Sequence, residues 1–179
     1  MAKRQSARRN LENSLRRDGY NRVAGLDEVG RGCLAGPVCA AAVVLNPKAK
    51  LLGLRDSKLL SPKDRERLYI EIVNSSDWSV SEVSAAEIDR LNIHQASLLA
   101  MRQAITALQL TPDYVIVDGF RVSDLPCPHR AIVGGDRKCA SIAAASIVAK
   151  VTRDRLMVRL HQSDDRYGFD RHKGYPTAM

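Results

Sequence analysis

The sequence has 179 residues, of which 45% are hydrophobic, so it is long enough to bury the core of a single domain. It contains no run of about 18 apolar residues and no apolar signal-peptide centre after Met1, so neither membrane insertion nor export is predicted and a cytoplasmic protein is expected. The formal net charge of +8 at pH 7 favours a polyanionic partner such as nucleic acid, although many basic proteins bind none.

Residues 1–20 are predicted to be a basic N-terminal arm, ahead of a folded domain over residues 21–179. Up to Arg22 the only acids are Glu12 and Asp18. The pattern predicts a basic, frayed helix, for which contact with a polyanion and simple solubilisation are equally good interpretations. The cations of this segment are Lys3, Arg4, Arg8, Arg9, Arg16, Arg17 and Arg22.

The segment from Val23 to Val29 is predicted to be a short strand, and it carries Asp27 and Glu28 near its end. Successive strand side chains leave on opposite faces, so these two carboxylates cannot both face a core. The glycines of Gly30-Arg31-Gly32 let the backbone approach a ligand, and the arginine fork suits a phosphate. Carboxylates beside a phosphate repel it unless cations lie between them, which makes Mg²⁺ or Mn²⁺ the expected bridge.

Two other interpretations of this segment are possible. One is that the segment is simply an exposed strand end with ordinary charges, and this interpretation remains an alternative. A nucleotide-binding glycine loop is disfavoured, because Pro37 and a second predicted strand from Val38 to Leu45 follow where a dinucleotide fold needs a helix N-terminus.

The next elements alternate between helix and strand. Ser61 can cap a helix that starts at Pro62 and runs to about Val73. Just before it, Asp56-Ser57-Lys58 offers a hydroxyl and an ammonium that suit a phosphate contact, but an exposed turn explains them equally well. A strand from Asp77 to Ser84 follows.

A helix from Ile93 to Leu110 is the clearest helical pattern, because its apolar residues recur at spacings of three and four. Asn92 is its expected cap. His94 and Gln95 lie in its first turn, where a capping or surface role is a better interpretation than catalysis.

Two later strands also end in an acid beside glycine. One runs from Asp113 to Gly119 and includes Asp118, and the other, Ala131 to Val133, is followed by Gly134, Gly135 and Asp136. Ligands gather at strand ends in open sheets that mix strands and helices. Asp118 and Asp136 are therefore candidate partners of Asp27.

The segment from Cys139 to about His161 is predicted to be a long helix, and its small, apolar first half indicates burial against a sheet. Lys150 and Asp154 lie four residues apart on one face, where either an ion pair or a site role is possible. A basic loop with one aromatic ring, Tyr175, follows the helix.

Together, Asp27, Glu28, Asp118 and Asp136 could hold two divalent ions about 3.5 to 4 Å apart, as in two-metal nucleases. With the positive net charge, this cluster favours hydrolysis of a phosphodiester in nucleic acid.

The chain resembles the ribonuclease HII family from its first strand almost to its end. The resemblance rests on many motifs in the same order, which is highly specific. The motifs are Gly25–Gly32, Asp56–Ser61, Asn92–Ala96, Val117–Gly119, Gly135–Asp136, Ala144–Asp154 and Lys173–Thr177.

The resemblance implies a single α/β domain with a ribonuclease H-like fold, in which helices flank a mixed central sheet. It also implies a monomeric endoribonuclease that acts in ribonucleotide excision repair. Its substrates would be RNA/DNA hybrids and duplex DNA with single embedded ribonucleotides. Incision on the 5′ side of the ribonucleotide would leave 3′-hydroxyl and 5′-phosphate ends.

The resemblance also assigns site residues. Asp27, Glu28, Asp118 and Asp136 would be catalytic acids that hold Mg²⁺ or Mn²⁺, with Asp154 as an accessory acid near the metals. Gly30-Arg31-Gly32 and Tyr175 would recognise the 2′-hydroxyl at the RNA to DNA junction, with the ring packed on the neighbouring deoxyribose. The remaining substrate-binding candidates are Ser57, Lys58 and Lys150.

Two features depart from the family pattern. Family members usually continue past the Tyr-Pro-Thr motif with a basic helical tail, whereas this sequence stops at Met179, so a weaker grip on the duplex is expected. The N-terminal arm is longer than in short members. An inactive duplex-binding protein is the alternative function, and it is disfavoured because four clustered carboxylates repel one another unless metals are bound.

Overall fold

The computed structural model of the protein describes residues 6–177. Lys3 and Arg4 of the expected arm lie outside these residues, and so does Met179, after which the family tail would follow.

A five-stranded mixed sheet forms the centre of the domain. Its strands are β1 (Val23–Val29), β2 (Val38–Val44), β3 (Asp77–Val83), β4 (Tyr114–Asp118) and β5 (His129–Ile132). They lie in the order β3-β2-β1-β4-β5, in which β1, β2 and β3 are antiparallel neighbours and β1, β4 and β5 are parallel. The predicted mixed sheet is confirmed.

Helices cover both faces of this sheet. Within the described residues they are α1 (Asn10–Arg17), α2 (Pro62–Ser75), α3 (Ala85–Leu91), α4 (Ile93–Thr106), α5 (Gly135–Lys138), α6 (Ala140–Ser163) and α7 (Phe169–His172). Short 3₁₀ turns lie at Ser57–Leu59 and Asp165–Tyr167. None of the helices in residues 6–177 is long and apolar enough to cross a membrane.

Strand β2 shows why the sheet is covered on both faces. It is buried along its whole length because alternate residues face two different helix layers. Ala40 and Ala42 pack toward α4, whereas Ala41 and Val43 pack toward α2 and α6. These small side chains let the helices approach closely.

Helix α6 approaches β1 closely at Gly25. A Cβ atom on Gly25 would lie 2.1 Å from the carbonyl carbon of Ser141, so only glycine fits there. This contact brings the buried first half of α6 against the strand that carries Asp27 and Glu28.

The helix caps expected from the sequence are present. The Ser61 hydroxyl accepts a hydrogen bond from Asp64 N at 3.1 Å, and the Asn92 side chain accepts hydrogen bonds from His94 N and Gln95 N. Helix α4 is shorter than predicted, because Gln109 N donates to Asp77 Oδ1 at 3.3 Å instead of continuing the helix.

The described part of the N-terminal arm packs on the domain and is not frayed. The carboxylate of Glu12, which is 1% exposed, accepts hydrogen bonds from both the backbone N and the hydroxyl of Ser141, each at 2.8 Å. Leu15 packs with Ile142 and Ile116. The side chain of Cys139, at the start of α6, forms no capping hydrogen bond. Glu12 therefore caps the first turn of that helix from another element.

Candidate active site

One pocket of about 260 Å³ brings most of the sequence-predicted site residues together. All four predicted catalytic acids line it. So do three of the predicted substrate-binding residues, Ser57, Lys58 and Lys150, and the predicted aromatic ring. The lining residues are Asp27, Glu28, Val29, Ser57, Lys58, Asp118, Asp136, Ser146, Lys150 and Tyr175.

The sheet topology explains how three of the acids meet. Asp27 and Glu28 lie near the end of β1, and Asp118 ends the neighbouring parallel strand β4. Leu26 and Val117 pair in the register of these two strands, so the acid that follows each of them emerges at the same sheet edge.

The fourth acid returns to this edge through a glycine turn after β5. Gly134 adopts a left-handed conformation with φ of 64°. Gly135 N then donates a hydrogen bond to Asp118 Oδ1 at 2.6 Å. Asp136 follows in the first turn of α5, so it lies one short turn past the strand end that the sequence pattern predicted.

Burial and mutual repulsion raise the pKa of three of these acids. The pKa of Asp27 lies well above its usual value because the side chain is buried and because Glu28 and Asp118 are close. Burial also raises the pKa of Glu28, although Arg31 partly offsets this effect. The pKa of Asp136 is raised by burial and then by Asp56 and Asp118.

This donor set fits divalent cations such as Mg²⁺ or Mn²⁺. Carboxylate oxygens are the ligands that these ions prefer, and a bound cation relieves the repulsion that raises the pKa values. Within residues 6–177, no three Asp, Glu, His or Cys side chains are already arranged as ligands around one point. The acids therefore share a pocket without forming a finished coordination shell.

Ser146 links two walls of the pocket, and the sequence interpretation missed it. Its hydroxyl lies 2.9 Å from the hydroxyl of Ser57, and it is close enough to Asp27 to lower the pKa of this acid. A signal was present in the sequence, because Ser146 and Lys150 are separated by one helical turn and therefore share a face of α6.

Ser57 and Lys58 are held by a tight turn. The Asp56 carboxylate is buried and accepts a hydrogen bond from Lys58 N at 2.9 Å. Arg137 forms an ion pair with Asp56 at 3.5 Å, which ties this turn to the segment that carries Asp136. Lys58 itself is exposed, so its ammonium is free to reach toward a bound anion.

Asp154 lies beside the pocket and not among its lining residues. Its carboxylate pairs with Lys150 Nζ at 2.7 Å and with Arg65 Nη1 at 3.9 Å. The helical ion pair that the sequence spacing suggested is thus present. Asp154 instead lines an adjacent groove of about 400 Å³ that also contains Arg155 and Arg159.

Gly30-Arg31-Gly32 lies next to the acids but outside the pocket lining. Arg31 Nη1 lies 3.4 Å from Glu28 Oε1, and its guanidinium carbon lies 4.7 Å from the centre of the Phe120 ring. A Cβ on Gly30 would lie 2.7 Å from Pro37 O, whereas a Cβ on Gly32 would meet nothing within 4 Å. Gly30 is therefore needed for packing, and Gly32 leaves an open surface.

The Tyr175 ring completes the pocket on the side of α6. Its centre lies 5.2 Å from Lys150 Nζ and 5.8 Å from the guanidinium carbon of Arg153. Burial, followed by the proximity of Cys33, raises the pKa of Tyr175 to about 12. Its hydroxyl is therefore protonated at neutral pH and can donate a hydrogen bond.

The chain is similar to known proteins along most of its length. The family model described as Ribonuclease HII matches residues 24–179. A ribonuclease HII from Caldicellulosiruptor saccharolyticus is 50% identical over 168 residues, which cover 93% of this chain and 82% of that protein.

Solved structures show the same likeness. The crystal structure of the ribonuclease H2 from Pyrococcus horikoshii OT3 matches with a TM-score of 0.73 and 31% identity, covering 87% of this chain and 81% of that chain. A chain of the PCNA:RNase HII complex from Archaeoglobus fulgidus also matches with a TM-score of 0.73 and 31% identity, covering 88% and 83%.

Proposed function

Because the chain belongs to the ribonuclease HII family and is therefore an endonuclease of the ribonuclease H type, we propose that it cuts on the 5′ side of ribonucleotides. The substrates are RNA/DNA hybrids and duplex DNA with single embedded ribonucleotides, and the products carry 3′-hydroxyl and 5′-phosphate ends. The observation that carries this proposal is the convergence of four acids from three separate elements in one pocket that Tyr175 also lines.

The four acids would hold Mg²⁺ or Mn²⁺, with Asp27 as the central acid of the four. Asp27 suits this position because both Glu28 and Asp118 are close enough to raise its pKa. Divalent ions held by these acids would supply activation of the attacking water and charge stabilisation at the leaving 3′-oxygen. Ser146 would help to orient the Asp27 side chain, since its hydroxyl is close enough to lower the pKa of this acid.

Ser57, Lys58 and Lys150 would bind the phosphate groups around the cleaved bond. They line the same pocket as the acids, so they can supply a hydroxyl and two ammonium groups to phosphate oxygens. Asp154 holds Lys150 Nζ at 2.7 Å and thereby limits where this cation can lie. In this proposal Asp154 acts as an accessory acid near the metals.

Gly30-Arg31-Gly32 and Tyr175 would select the ribonucleotide. Backbone groups at the glycines can approach a 2′-hydroxyl closely. At Gly32 the space is open, since a Cβ atom built there would have no neighbouring atom within 4 Å. The 2′-hydroxyl is the group that distinguishes RNA from DNA. The Tyr175 ring would pack on the next sugar, which is a deoxyribose at the junction.

Such an activity would begin the removal of ribonucleotides from DNA. We place the enzyme in the cytoplasm and expect the domain over residues 21–179 to act as a monomer. Sedimentation of the purified protein with and without a duplex measures its oligomeric state.

A cleavage assay tests the proposed function. The substrates are a labelled DNA duplex with one ribonucleotide, the same duplex without it, and a continuous RNA/DNA hybrid, each in Mg²⁺, Mn²⁺ or chelator. We expect metal-dependent cuts on the 5′ side of the ribonucleotide, a 3′-hydroxyl that a polymerase extends, and no cutting of the all-DNA duplex. Cleavage in chelator, or none of the ribonucleotide duplex in either metal, would contradict the proposal.

A further inference from the structure

Two loops beside the active site touch each other through their backbones. The first is the loop of residues 30–37, and the second is the loop of residues 173–175. Leu34 N donates a hydrogen bond to Gly174 O at 2.8 Å. A Cβ on Gly174 would lie 2.3 Å from Ala35 O, so the two loops leave room only for glycine at this contact.

Arg153 of α6 hydrogen-bonds to both loops. It is 0% exposed. Its Nε donates to Pro37 O at 2.8 Å and its Nη2 to Ala35 O at 3.0 Å, both in the first loop. Its Nη1 donates to Lys173 O at 2.8 Å, in the second loop.

The partners of this guanidinium are unusual for a buried cation. In the part of the chain that the structure describes, its charge is met by backbone carbonyls and by no carboxylate within ion-pair distance. Burying a cation without a counter-charge is costly. The rigid planar fork of arginine can offset that cost by donating from three separate nitrogens to fixed carbonyls on both loops, whereas the three donors of a lysine ammonium all leave one nitrogen and cannot reproduce that spacing.

Each loop carries one half of the proposed junction recognition. The first loop begins with Gly30-Arg31-Gly32, and the second ends with Tyr175, whose ring centre lies 5.8 Å from the Arg153 guanidinium carbon. We infer that Arg153 is a positioning residue that fixes the spacing between these two groups and thereby sets the preference for a ribonucleotide followed by a deoxyribonucleotide. This inference rests on the proposed function.

The spacing matters differently for two kinds of substrate. A duplex with one ribonucleotide offers a single 2′-hydroxyl, so the glycines and the ring must engage adjacent sugars in one register. A continuous hybrid offers a 2′-hydroxyl on every sugar of one strand, so displaced loops can still find one. Loss of the Arg153 contacts to the two loops should therefore reduce cleavage of the duplex with one ribonucleotide more than cleavage of the continuous hybrid.

The test compares both substrates with the same enzyme preparation. The ratio of the two cleavage rates does not depend on how much protein is folded, because the folded fraction cancels. For Arg153→Lys we expect this ratio to fall by roughly tenfold to a hundredfold, the loss typical of a small displacement of positioning groups. Arg102→Lys is the matched control, since Arg102 lies on α4, which packs on the opposite face of the sheet.

A second variant disturbs the contacts between Arg153 and the first loop without removing the cation. Gly36 has φ of +86°, and a Cβ there would lie 2.5 Å from Met157 Sδ and 3.2 Å from Arg153 Nη2. Gly36→Ala should therefore shift the first loop and lower the same ratio. If Arg153→Lys yields no folded protein, the ratio measured for Gly36→Ala tests the positioning role by itself.

The outcomes separate this inference from the proposed function. A wild-type enzyme that cuts neither substrate would overturn the proposed function. A wild-type enzyme that cuts both, with Arg153→Lys and Gly36→Ala at the wild-type ratio, would overturn the positioning role alone, even if both rates fell together. A lowered ratio in the variants, with Arg102→Lys unchanged, supports it.

Discussion

The Asp118 carboxylate accepts a hydrogen bond of 2.6 Å from the backbone N–H of Gly135. Through this contact the end of β4 holds the turn that brings Asp136 to the pocket. Asp118 therefore has two tasks, which are to supply negative charge to the site and to anchor a neighbouring acid. An asparagine oxygen can still accept this hydrogen bond, so Asp118→Asn separates the two tasks.

We expect Asp118→Asn to reduce cleavage of a ribonucleotide-containing duplex by at least about a hundredfold, because it removes charge where divalent ions would bind. Asp27→Asn and Asp136→Asn should behave similarly, while duplex binding measured by fluorescence anisotropy stays near the wild-type value. Asp154→Asn is the comparison, and it should reduce the cleavage rate less because Asp154 pairs with Lys150 outside the pocket lining. An Asp118→Asn enzyme within tenfold of wild type would refute the role of this acid.

We predict that Asp27→Asn stabilises the protein in chelator at neutral pH. The pKa of Asp27 is raised in the folded state, so the stability that depends on this group is full below its unfolded pKa and is lost as pH rises through the folded pKa. Asparagine carries no charge and avoids that loss. Each kcal/mol of relief should raise the midpoint of thermal unfolding by about 2–4 °C for a domain of this size.

The pH dependence checks the sign of this effect. The difference between Asp27→Asn and wild type should shrink as pH falls toward about 4, near the ordinary pKa of an aspartate in an unfolded chain. Thermal unfolding followed by circular dichroism between pH 4 and 8 measures it. A variant that is less stable than wild type at pH 7 in chelator would show that burial does not penalise this charge.

We expect Mg²⁺ or Mn²⁺ to support cleavage and Ca²⁺ to bind without supporting it. Ca²⁺ is larger and is coordinated more loosely, so it does not enforce the geometry of in-line attack. All three ions should raise the unfolding midpoint of the wild-type protein and have a smaller effect on Asp27→Asn. Titration calorimetry and the cleavage assay, run on the same protein, distinguish binding from turnover.

The Tyr175 ring is expected to contribute about 1–3 kcal/mol to the bound junction, a value taken from aromatic stacking on bases. Tyr175→Ala should therefore slow cleavage at a single ribonucleotide by roughly tenfold to more than a hundredfold. Tyr175→Phe keeps the ring and should retain more activity. Tyr167→Ala, which removes a ring that is 58% exposed and does not line the pocket, is the control and should leave the rate unchanged.

Glu12 is predicted to stabilise the domain through α6. Glu12→Ala removes the acceptor of two hydrogen bonds from Ser141 in a buried position, so the free energy of unfolding should fall by about 2–4 kcal/mol. Glu71→Ala is the matched control, because its ion pair with Arg67 is exposed and should contribute less than about 1 kcal/mol. Urea unfolding of both variants measures the difference, and equal losses would show that the Glu12 contact is not needed.

Local sequence signals predicted most of the regular elements. The strand at Val23–Val29 and the caps Ser61 and Asn92 follow from short-range chemistry, which a linear pattern contains. Helix α3 was missed, although Ser84 caps it by accepting a hydrogen bond from Glu87 N. Its short length and weak apolar pattern explain the omission.

The position of the four acids near strand ends could likewise be predicted, because each lies within two residues of a glycine at or just after the end of a strand. Their convergence could not be derived from spacing alone. It depends on the parallel register of β1 and β4 and on the Gly135 turn, which join residues far apart in the chain.

The sequence by itself therefore determined which side chains carry charge and which short segments form strands and helices, since those depend on neighbours along the chain. Only the tertiary structure decided that Ser146 contacts Ser57, that Glu12 caps α6 and that Arg153 holds two loops together. Each of these contacts joins polar groups that are distant in sequence. Packing of the sheet and helices brings those groups within hydrogen-bond distance, and burial makes each unsatisfied group costly.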